Sequence, residues 1–510
     1  MNASETTAIA TGTPLVIILI LIVAAAILIW GFNRAKPFGK LGILAWLQSL
    51  VLMAPWLIFF TLFAAGIYVN IVGVLLLLVV SVAVYIYLGR QLRSAGQDAM
   101  LKERAAQRLK AFNESESTSQ TESPAATTES NPVVPEILPI PEAELAILKG
   151  IFSIDTFFAT ETIPYQEGAI FKGNLRSDPD TAYAKMSEKL KTAFGEKYRL
   201  FLVEGTEERP IVIILPSTND PQPMSLAQKN LALVLLVATI ATSLEAIGLL
   251  LGFDLSVQWQ RYTEALPLTL GLWGILAAHE IGHQIIAKRH QVRFSLPFFL
   301  PNWQIGSFGA ISRFESLLPN RSALFDIAFA GPAVGGVVSL MILFIGLVLS
   351  HPGSFFQLPT QFFQGSILIG SLARVVLGDE LQQSIVDIHP LVVLGWLGLV
   401  INALNLLPAG QLDGGRIVQA IYGRKIARRT TIATLIVLGI VALINPSNPI
   451  PLYWGVVILF LQRDLERPSL NELSEPDDTR AAWGLLALFL MLATLIPLTP
   501  SLAGRLGIGG

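Results

Sequence analysis

The stretch LWGILAAHEIGHQIIAKRH, residues 272–290, places two histidines and a glutamate inside an otherwise apolar segment. At about 3.6 residues per turn, His279 and His283 lie one above the other on one helix face, where two imidazoles can bind one tetrahedral zinc ion. Glu280 is offset by about 100 degrees, so it can act as a general base without being a ligand. Ionisable groups at membrane depth cost about 2.5–3.5 kcal/mol each, so three of them together indicate a functional metal site.

The composition of the chain indicates that this segment is a membrane helix. Of the 510 residues, 53% are hydrophobic and only 14% are charged, whereas a soluble protein carries roughly 25% charged residues. The net charge of -2 argues against a nucleic-acid partner, because binding to phosphates needs clustered cations. The chain has no cysteine and five histidines, so any metal must be held by histidine and carboxylate.

A catalytic zinc needs a third protein ligand and one open position. His290 follows the basic end of the same helix, and the predicted topology puts His351 and His389 on the opposite side of the membrane. Asp413 is the better candidate. It lies in NALNLLPAGQLDGGR (402–416), where a charge-free span reaches the same membrane face as the HEIGH helix. The proline and glycines of this segment predict a broken helix end, which a membrane tolerates where the backbone lines a cavity.

Two asparagines on that span, Asn402 and Asn405, lie within one helical turn of each other. Hydrogen bonding between helices is one interpretation for both. The alternative gives Asn405 a role in orienting the substrate or stabilising an oxyanion.

Hydropathy predicts an all-α multi-pass membrane protein of about 8–10 transmembrane helices, with a small soluble α+β domain inserted before the catalytic core. The predicted regions are an N-terminal transmembrane region (1–90), a basic juxtamembrane helix with a disordered linker (91–132), the soluble domain (133–222) and a membrane-embedded metalloprotease core (223–510). The positive-inside rule places the site toward the cytoplasmic side.

The spans of the two membrane regions follow from the apolar stretches. The N-terminal spans are predicted near 14–31, 41–65 and 70–88. The core spans are predicted near 229–251, 264–287, 323–349, 389–408 and 481–498, with shorter apolar pieces near 431–444 and 451–462.

The soluble domain contains no histidine and no recognisable catalytic constellation, so a binding or regulatory role is expected. Residues 142–149 and the segment after Asp178 are predicted to be helical, the latter because apolar residues recur every four positions. Residues 169–173 predict a strand, and 201–205 with 211–216 predict a hairpin.

Three further features carry weaker signals. Residues 303–315 (WQIGSFGAISRFE) predict a hairpin-like element that pairs with an extended substrate, with a disordered loop as the alternative. Glu245 and Asp326 lie in apolar spans, where they either polarise the cavity or, as we prefer, bond neighbouring helices. The small residues of the segment 329–336 suggest close helix packing or a kink.

HExxH in one membrane span, followed by N-x-x-P-x-x-x-L-D-G in a later one, resembles the site-2 protease family (peptidase family M50) of intramembrane zinc metalloproteases. The resemblance implies one Zn²⁺ per chain with His279, His283 and Asp413 as ligands. It implies acid/base catalysis by Glu280 and substrate contact by Asn405. The expected activity is that of a zinc metalloendopeptidase acting on membrane-anchored proteins with transmembrane segments, within or near the bilayer.

The tetrapeptide GNLR (173–176) ahead of the core resembles the plastid proteases named for ethylene-dependent gravitropism deficiency and yellow-green leaves, and their cyanobacterial relatives. A strand-end turn with a solvated Arg176 is the alternative interpretation. Gly410 departs from the family pattern, in which many members have a second proline, but the spacing to Asp413 is unchanged. The start of the chain has neither a secretory nor a transit pattern, so we expect a cyanobacterial plasma or thylakoid membrane.

Two other functions compete with proteolysis. A transporter or channel would use the buried carboxylates of Glu280, Glu245 and Asp326 as a relay, but the sequence has no internal repeat. An inactive protease-like scaffold would have lost site residues, and all four are present.

Overall fold

The computed structural model describes positions between 29 and 91 in part, and residues 140–509 apart from gaps at 166–167, 206–208, 256, 303, 447 and 463. The chain divides into two compact units, residues 1–133 and 134–510. The described part of the first unit includes a 3-10 turn at Lys36–Phe38. The three predicted N-terminal spans lie largely outside the described residues, and of the region 91–132, predicted as a basic helix and a linker, only Gln91 is described.

The region predicted as the soluble domain contains a four-stranded antiparallel sheet and two helices. Its elements are α1 (Glu142–Ile151), β1 (Phe157–Tyr165), β2 (Gly168–Leu175), α2 (Pro179–Phe194), β3 (Tyr198–Glu204) and β4 (Pro210–Pro216), with strand order β1-β2-β4-β3. Asp178 caps α2 by accepting from the backbone N–H groups of residues 180 and 181. The predicted helices, the β2 strand and the β3–β4 hairpin are confirmed; β1 was not predicted, because apolar and polar residues do not alternate regularly along it.

One face of this sheet packs against α2 and forms a small core. Met186 and Leu190 of α2 and Leu202 of β3 are fully or almost fully buried in it. Because side chains alternate across a strand, Phe201 and Val203 lie on the opposite face, away from α2. The sheet therefore has one covered face and one face that α2 leaves uncovered.

The membrane region contains the remaining helices of the second unit. They are α3 (Leu226–Leu250), α4 (Tyr262–Arg289), α5 (Arg321–Val348), α6 (Gln361–Gln364), α7 (Ile367–Leu377), α8 (Pro390–Asn405), α9 (Asp413–Ile444), α10 (Ile450–Val457), α11 (Asp478–Leu495) and α12 (Pro500–Arg505), with a π-helix at Ile458–Gln462. Among the described helices, five (α3, α4, α5, α9 and α11) are long and apolar enough to cross a membrane.

The helices follow the predicted core spans with two differences. The segment 431–444 is not a separate short piece: it is the second half of α9, which starts at Asp413 and changes direction at Gly423 (φ 79°). The span predicted at 389–408 is a helix of only 16 residues, because α8 ends at Asn405 and an irregular loop precedes Asp413. This loop is the broken helix end that the sequence predicted.

Two antiparallel two-stranded sheets complete the region. β5 (Phe298–Asn302) pairs with β6 (Gly306–Ile311), and β7 (Phe356–Pro359) pairs with β8 (Ile385–Ile388). The first is a hairpin and confirms the predicted hairpin-like element, although only its second strand lies within the predicted residues 303–315. The second sheet, whose strands are separated along the chain by α6 and α7, was not predicted.

Helices α5 and α8 pack closely through small residues, which places the site between them and α4. A Cβ added to Gly346 would lie 2.5 Å from the backbone nitrogen of Val392, so only glycine permits this approach. Such close contact through small residues is typical of helix pairs in membranes.

Candidate metal centre

Three buried side chains from two helices converge at one point. The Nε2 atoms of His279 and His283 on α4 are 3.1 Å apart. The Oδ2 atom of Asp413, the first residue of α9, lies 3.3 Å from the first and 3.4 Å from the second. Among the described residues, these three form the one group of histidine, aspartate or glutamate side chains with metal-site geometry.

The size of this triangle fits a tetrahedral metal ion. Metal–ligand bonds of about 2.0–2.1 Å at tetrahedral angles separate neighbouring ligand atoms by roughly 3.3 Å, and the three observed edges are 3.1, 3.3 and 3.4 Å. A trio of protein ligands leaves the fourth corner open, as catalytic zinc sites require.

The second nitrogen of each imidazole is already bonded. His279 Nδ1 lies 2.8 Å from Asn402 Oδ1, and His283 Nδ1 lies 2.7 Å from the carbonyl oxygen of Ile327. Because both partners are acceptors, each Nδ1 carries the proton and each Nε2 presents a lone pair to the triangle. Two lone pairs and a carboxylate oxygen then face each other with no donor between them, an arrangement that a cation stabilises.

Glycines of α5 allow that helix to approach the imidazole rings. Gly331 lies directly against the His283 ring, and a Cβ added to Gly335 would lie 2.6 Å from Asn402 Oδ1. The small residues predicted to give close packing thus shape the metal site itself.

Glu280 lies in the same cavity but is not part of the triangle. Its Oε2 accepts a hydrogen bond of 3.1 Å from Ser312 Oγ, in the segment that follows β6. Glu280, His283, Asp413, Ala310 and Ser312 are among the residues that line the cavity. The acidic side chain therefore lies between the metal ligands and the β5–β6 hairpin.

Asn405 contacts the hairpin. Its Nδ2 donates to the carbonyl oxygens of Ile401 (3.0 Å) and Phe308 (3.4 Å), and it lines the cavity. A Cβ added to Gly309 would lie 2.5 Å from that nitrogen, and Gly309 has φ 89°. The asparagine that was expected to contact substrate thus fixes the position of β6, the strand that borders the cavity.

Arg416 is a site residue that the sequence reading missed. It is 3% exposed, donates to Glu466 Oε2 through Nε (3.1 Å) and Nη2 (3.0 Å), and donates to the carbonyl oxygen of Ser312 at 2.7 Å. Its Nη1 lies 3.9 Å from Asp413 Oδ1. Its signal was available: an arginine three residues after Asp413 lies on the same helix face, toward the site.

The other candidates lie elsewhere. His290 Nε2 is 3.0 Å from Asp326 Oδ2, and Arg480 binds the same carboxylate with Nε (2.7 Å) and Nη2 (2.9 Å). Asp326 therefore bonds neighbouring helices, the interpretation preferred from the sequence. His351 is exposed and His389 caps α8, so neither is a ligand.

The GNLR segment lies at the end of β2, and the Arg176 side chain is exposed. The backbone nitrogen of Arg176 donates to the carbonyl oxygen of Thr156. This geometry is that of a strand end with a solvated arginine.

Comparisons with known proteins match both parts of the second unit. Residues 267–445 match Peptidase family M50, and residues 146–223 match the EGY3 middle domain. The chain is 37% identical to the probable zinc metalloprotease EGY2, chloroplastic, of Arabidopsis thaliana, over 70% of this chain and 65% of that protein. No solved structure matches the chain.

Two further relatives from the same plant show the same pattern. The chain is 36% identical to the probable zinc metalloprotease EGY1, chloroplastic, over 72% of this chain and 73% of that protein. It is 32% identical to the probable zinc metallopeptidase EGY3, chloroplastic, over 69% of this chain and 65% of that protein.

Proposed function

Because this chain belongs to peptidase family M50, we propose that it is a zinc metalloendopeptidase that cuts membrane-anchored proteins within or beside the bilayer. The matches confirm the predicted family, its zinc metalloprotease class and zinc as the cofactor. They do not favour a transporter or a scaffold.

One observation carries this proposal: two histidines and a distant aspartate meet at the spacing of a tetrahedral site, beside a carboxylate that is not a ligand. We assign His279, His283 and Asp413 as the ligands of one zinc ion. Zinc, when bound, supplies a Lewis acid that polarises the peptide carbonyl and acidifies water.

The acid/base work falls to Glu280. Its carboxylate accepts a proton from the attacking water and then donates it to the nitrogen of the leaving amine. The hydrogen bond from Ser312 fixes one carboxylate oxygen and leaves the other for this transfer. Asn402 and the carbonyl of Ile327 hold the two imidazoles in one tautomer, so the ligand geometry is set before substrate arrives.

The substrate must be unwound locally, because the carbonyls of an intact helix are hydrogen-bonded within it. We propose that β6 pairs with the unwound segment by strand addition. β6 pairs with β5 along one edge, and Ala310, Ile311 and Ser312 border the cavity beside Glu280. Asn405 then acts through β6 by holding the strand in register.

We also propose the division of the chain into four regions, with boundaries at 1–90, 91–132, 133–222 and 223–510. From the distribution of lysine and arginine we propose that the site lies toward the cytoplasmic side of the membrane. A membrane location agrees with the five candidate spans. A cyanobacterial plasma or thylakoid membrane is our proposal, and the curated relatives are chloroplastic.

The test compares membrane proteomes of cells carrying the wild type and Glu280→Gln. We expect single-span proteins to accumulate uncut in the variant, while purified Glu280→Gln keeps its fold and its zinc. An unchanged proteome together with a zinc-free wild type would contradict the proposal.

A further inference from the structure

The uncovered face of the soluble sheet forms one wall of a cleft. Phe201 and Val203 of β3 and Ile213 of β4 line this wall, and they alternate with the residues that pack against α2. Leu317, Arg467 and Pro468 from the membrane region line the opposite wall. The cleft therefore lies between the soluble domain and the metalloprotease core.

A second cleft lies between this one and the metal site. It shares the wall of Leu317, Arg467 and Pro468 and extends to Phe314 and Gln411. Gln411 also lines the cavity that holds Glu280 and Asp413. The two clefts and the cavity are therefore neighbours in a row from the sheet face to the catalytic groups.

Backbone hydrogen bonds hold the two walls together. Leu202 of β3 donates to the carbonyl of Leu470 at 2.8 Å, and Glu472 donates back to Leu202 at 2.9 Å. Leu470 donates to the carbonyl of Leu318 at 2.8 Å. Because the segment 470–472 bonds to both the sheet and the core, the cleft is preformed.

Two arginines line the clefts, and the two carboxylates in the lining, Glu466 and Asp220, are already bound by other arginines. Arg313 lines the second cleft, and the buried Nε of Arg313 has no hydrogen-bond partner among the described residues. Its Nη2 donates to Gln228 Oε1 at 2.9 Å, so the guanidinium is held in place while one donor is left over. Arg467 is exposed at the junction of the two clefts. A carboxylate on the occupant would be attracted to these two guanidinium groups.

We propose that this cleft binds the extended segment that flanks the cut helix of a membrane-anchored substrate, with apolar side chains against the sheet and one acidic residue near Arg313. The occupant follows from the order of the clefts beside the cavity, since a chain that leaves the metal site on this side meets Gln411 first and the sheet last. The proposal rests on the proposed function, and it makes the soluble domain a determinant of substrate choice.

A binding experiment tests the cleft without requiring cleavage. Full-length Glu280→Gln protein in detergent is titrated against a fluorescent 12-residue peptide of alternating valine and serine with one glutamate, and anisotropy is measured. We expect Ile213→Asp to weaken binding at least about tenfold, because it places a charge in the apolar wall. The matched control is Ile154→Asp, because Ile154 is 77% exposed on the same domain and outside the clefts.

Two further variants keep the test decisive. Tyr165→Ala removes a lining side chain that is already 42% exposed, so it weakens binding without endangering the fold. Arg313→Gln should weaken binding of the peptide that contains glutamate more than binding of the same peptide with glutamine in its place. A peptide that does not bind, or binds all variants equally, overturns the cleft proposal. A wild-type protein that binds the peptide but does not cleave it would instead contradict the proposed function.

A second and independent observation concerns Gln462. The π-helix Ile458–Gln462 brings this side chain into the cavity of Glu280 and Asp413, where it is only 3% exposed. Its Oε1 makes no hydrogen bond to any described residue. An unsatisfied buried amide oxygen destabilises the protein, and π-helical turns frequently occur at functional sites.

We infer that Gln462 contacts the substrate by accepting a hydrogen bond from a backbone N–H group of the bound peptide. The inference also rests on the proposed function. Gln419 provides the structural contrast, because it is fully buried and both ends of its amide are bonded to the backbone of Glu466.

Thermal shifts with two hydroxamates separate substrate contact from metal binding. For Gln462→Met we expect peptidyl (leucyl-alanyl) hydroxamate to bind about tenfold more weakly, acetohydroxamate to bind as in wild type, and Tm to stay equal or rise. Gln419→Met should lower Tm and leave the ratio of the two affinities unchanged. An unchanged ratio in Gln462→Met overturns the inference. Failure of both compounds to bind wild type contradicts the proposed zinc site and the inference with it.

Discussion

Two clusters in the membrane region each join histidine to aspartate, and they differ in the source of positive charge. At Asp326, Arg480 donates two hydrogen bonds to the carboxylate and His290 approaches one oxygen. At Asp413, the two imidazoles have used their Nδ1 protons elsewhere. At Asp326 the guanidinium donates directly to the carboxylate, whereas at Asp413 the nearest guanidinium nitrogen, Nη1 of Arg416, lies 3.9 Å from Oδ1 and makes no hydrogen bond to it.

The charges around the metal site make the same point. Arg416 is bonded to Glu466 and compensates that carboxylate. Asp413 therefore shares Arg416 with Glu466 and receives no hydrogen bond from it. Burial of poorly compensated charge is costly, so a guanidinium that hydrogen-bonds the aspartate directly separates the structural ion pair from the metal site.

The largest expected effect separates the two aspartates. Asp413→Asn should lower cleavage of the substrates identified with Glu280→Gln by about 10³-fold or more, because the ligand set is lost. Asp326→Asn should leave cleavage within about threefold, because Asp326 only joins helices. Rates are measured with purified protein in liposomes. Equal losses in the two variants would remove the distinction between the clusters.

The next effect concerns the hydrogen bond that orients the ligand His279. Asn402→Ala removes the acceptor of His279 Nδ1 and should weaken zinc binding by about 10–100-fold. Competition with a chromophoric chelator measures the affinity. Asn405→Ala is the control, because its amide bonds backbone carbonyls, and its zinc affinity should equal that of wild type. Equal affinity in Asn402→Ala would argue against this role of Asn402.

The structural cluster should respond in stability instead. Arg480→Met removes both hydrogen bonds to Asp326, whose side chain is 24% exposed, so we expect a loss of about 1–2 kcal/mol in the free energy of unfolding. Zinc content should not change. Adding Asp326→Asn should recover part of the loss, since the less exposed of the two carboxylates that Arg480 binds, Asp326 and Asp477, is then neutral; further destabilisation would contradict this account.

The smallest effect concerns Glu472, a buried carboxylate outside both histidine–aspartate clusters. Glu472 lies in the segment that bonds to β3, is 7% exposed, and has one oxygen without a partner among the described residues. Burial raises the pKa of Glu472, although the guanidinium groups of Arg424 and Arg321 oppose the shift. We therefore expect Glu472→Gln to stabilise the protein by a few tenths of a kcal/mol at neutral pH.

The pH dependence has a definite sign. A carboxyl with a raised folded pKa takes up a proton on folding, so wild type gains stability as pH falls through that pKa and loses it as pH rises. The advantage of Glu472→Gln should shrink toward acidic pH in paired unfolding curves. An advantage that grows there would contradict the raised pKa.

Much of this arrangement was predictable from local patterns. Hydropathy located the core spans, because about 20 apolar residues suffice to identify a crossing. The spacing of His279 and His283 fixed one helix face, and the segment around Asp413 supplied a third ligand of the right chemistry. The soluble hairpin followed from two apolar runs with a short connection.

The unpredicted features depend on residues far apart in sequence. Glu466 bonds Arg416 across 50 positions, and Asn402 bonds His279 across 123. Neither pairing leaves a periodic signal. Strand β1 lacks regular alternation, and β7 and β8 are four residues each. Short strands and long-range polar contacts are decided by tertiary packing, which no local window contains.

The most direct measurement is the zinc content of purified full-length protein, determined by elemental analysis after equilibration with zinc and removal of the excess. The account predicts about one zinc per chain in wild type and in Asp326→Asn, and almost none in Asp413→Asn. A wild type without zinc, or full occupancy in Asp413→Asn, would contradict the claim that two imidazoles and this aspartate hold one metal ion.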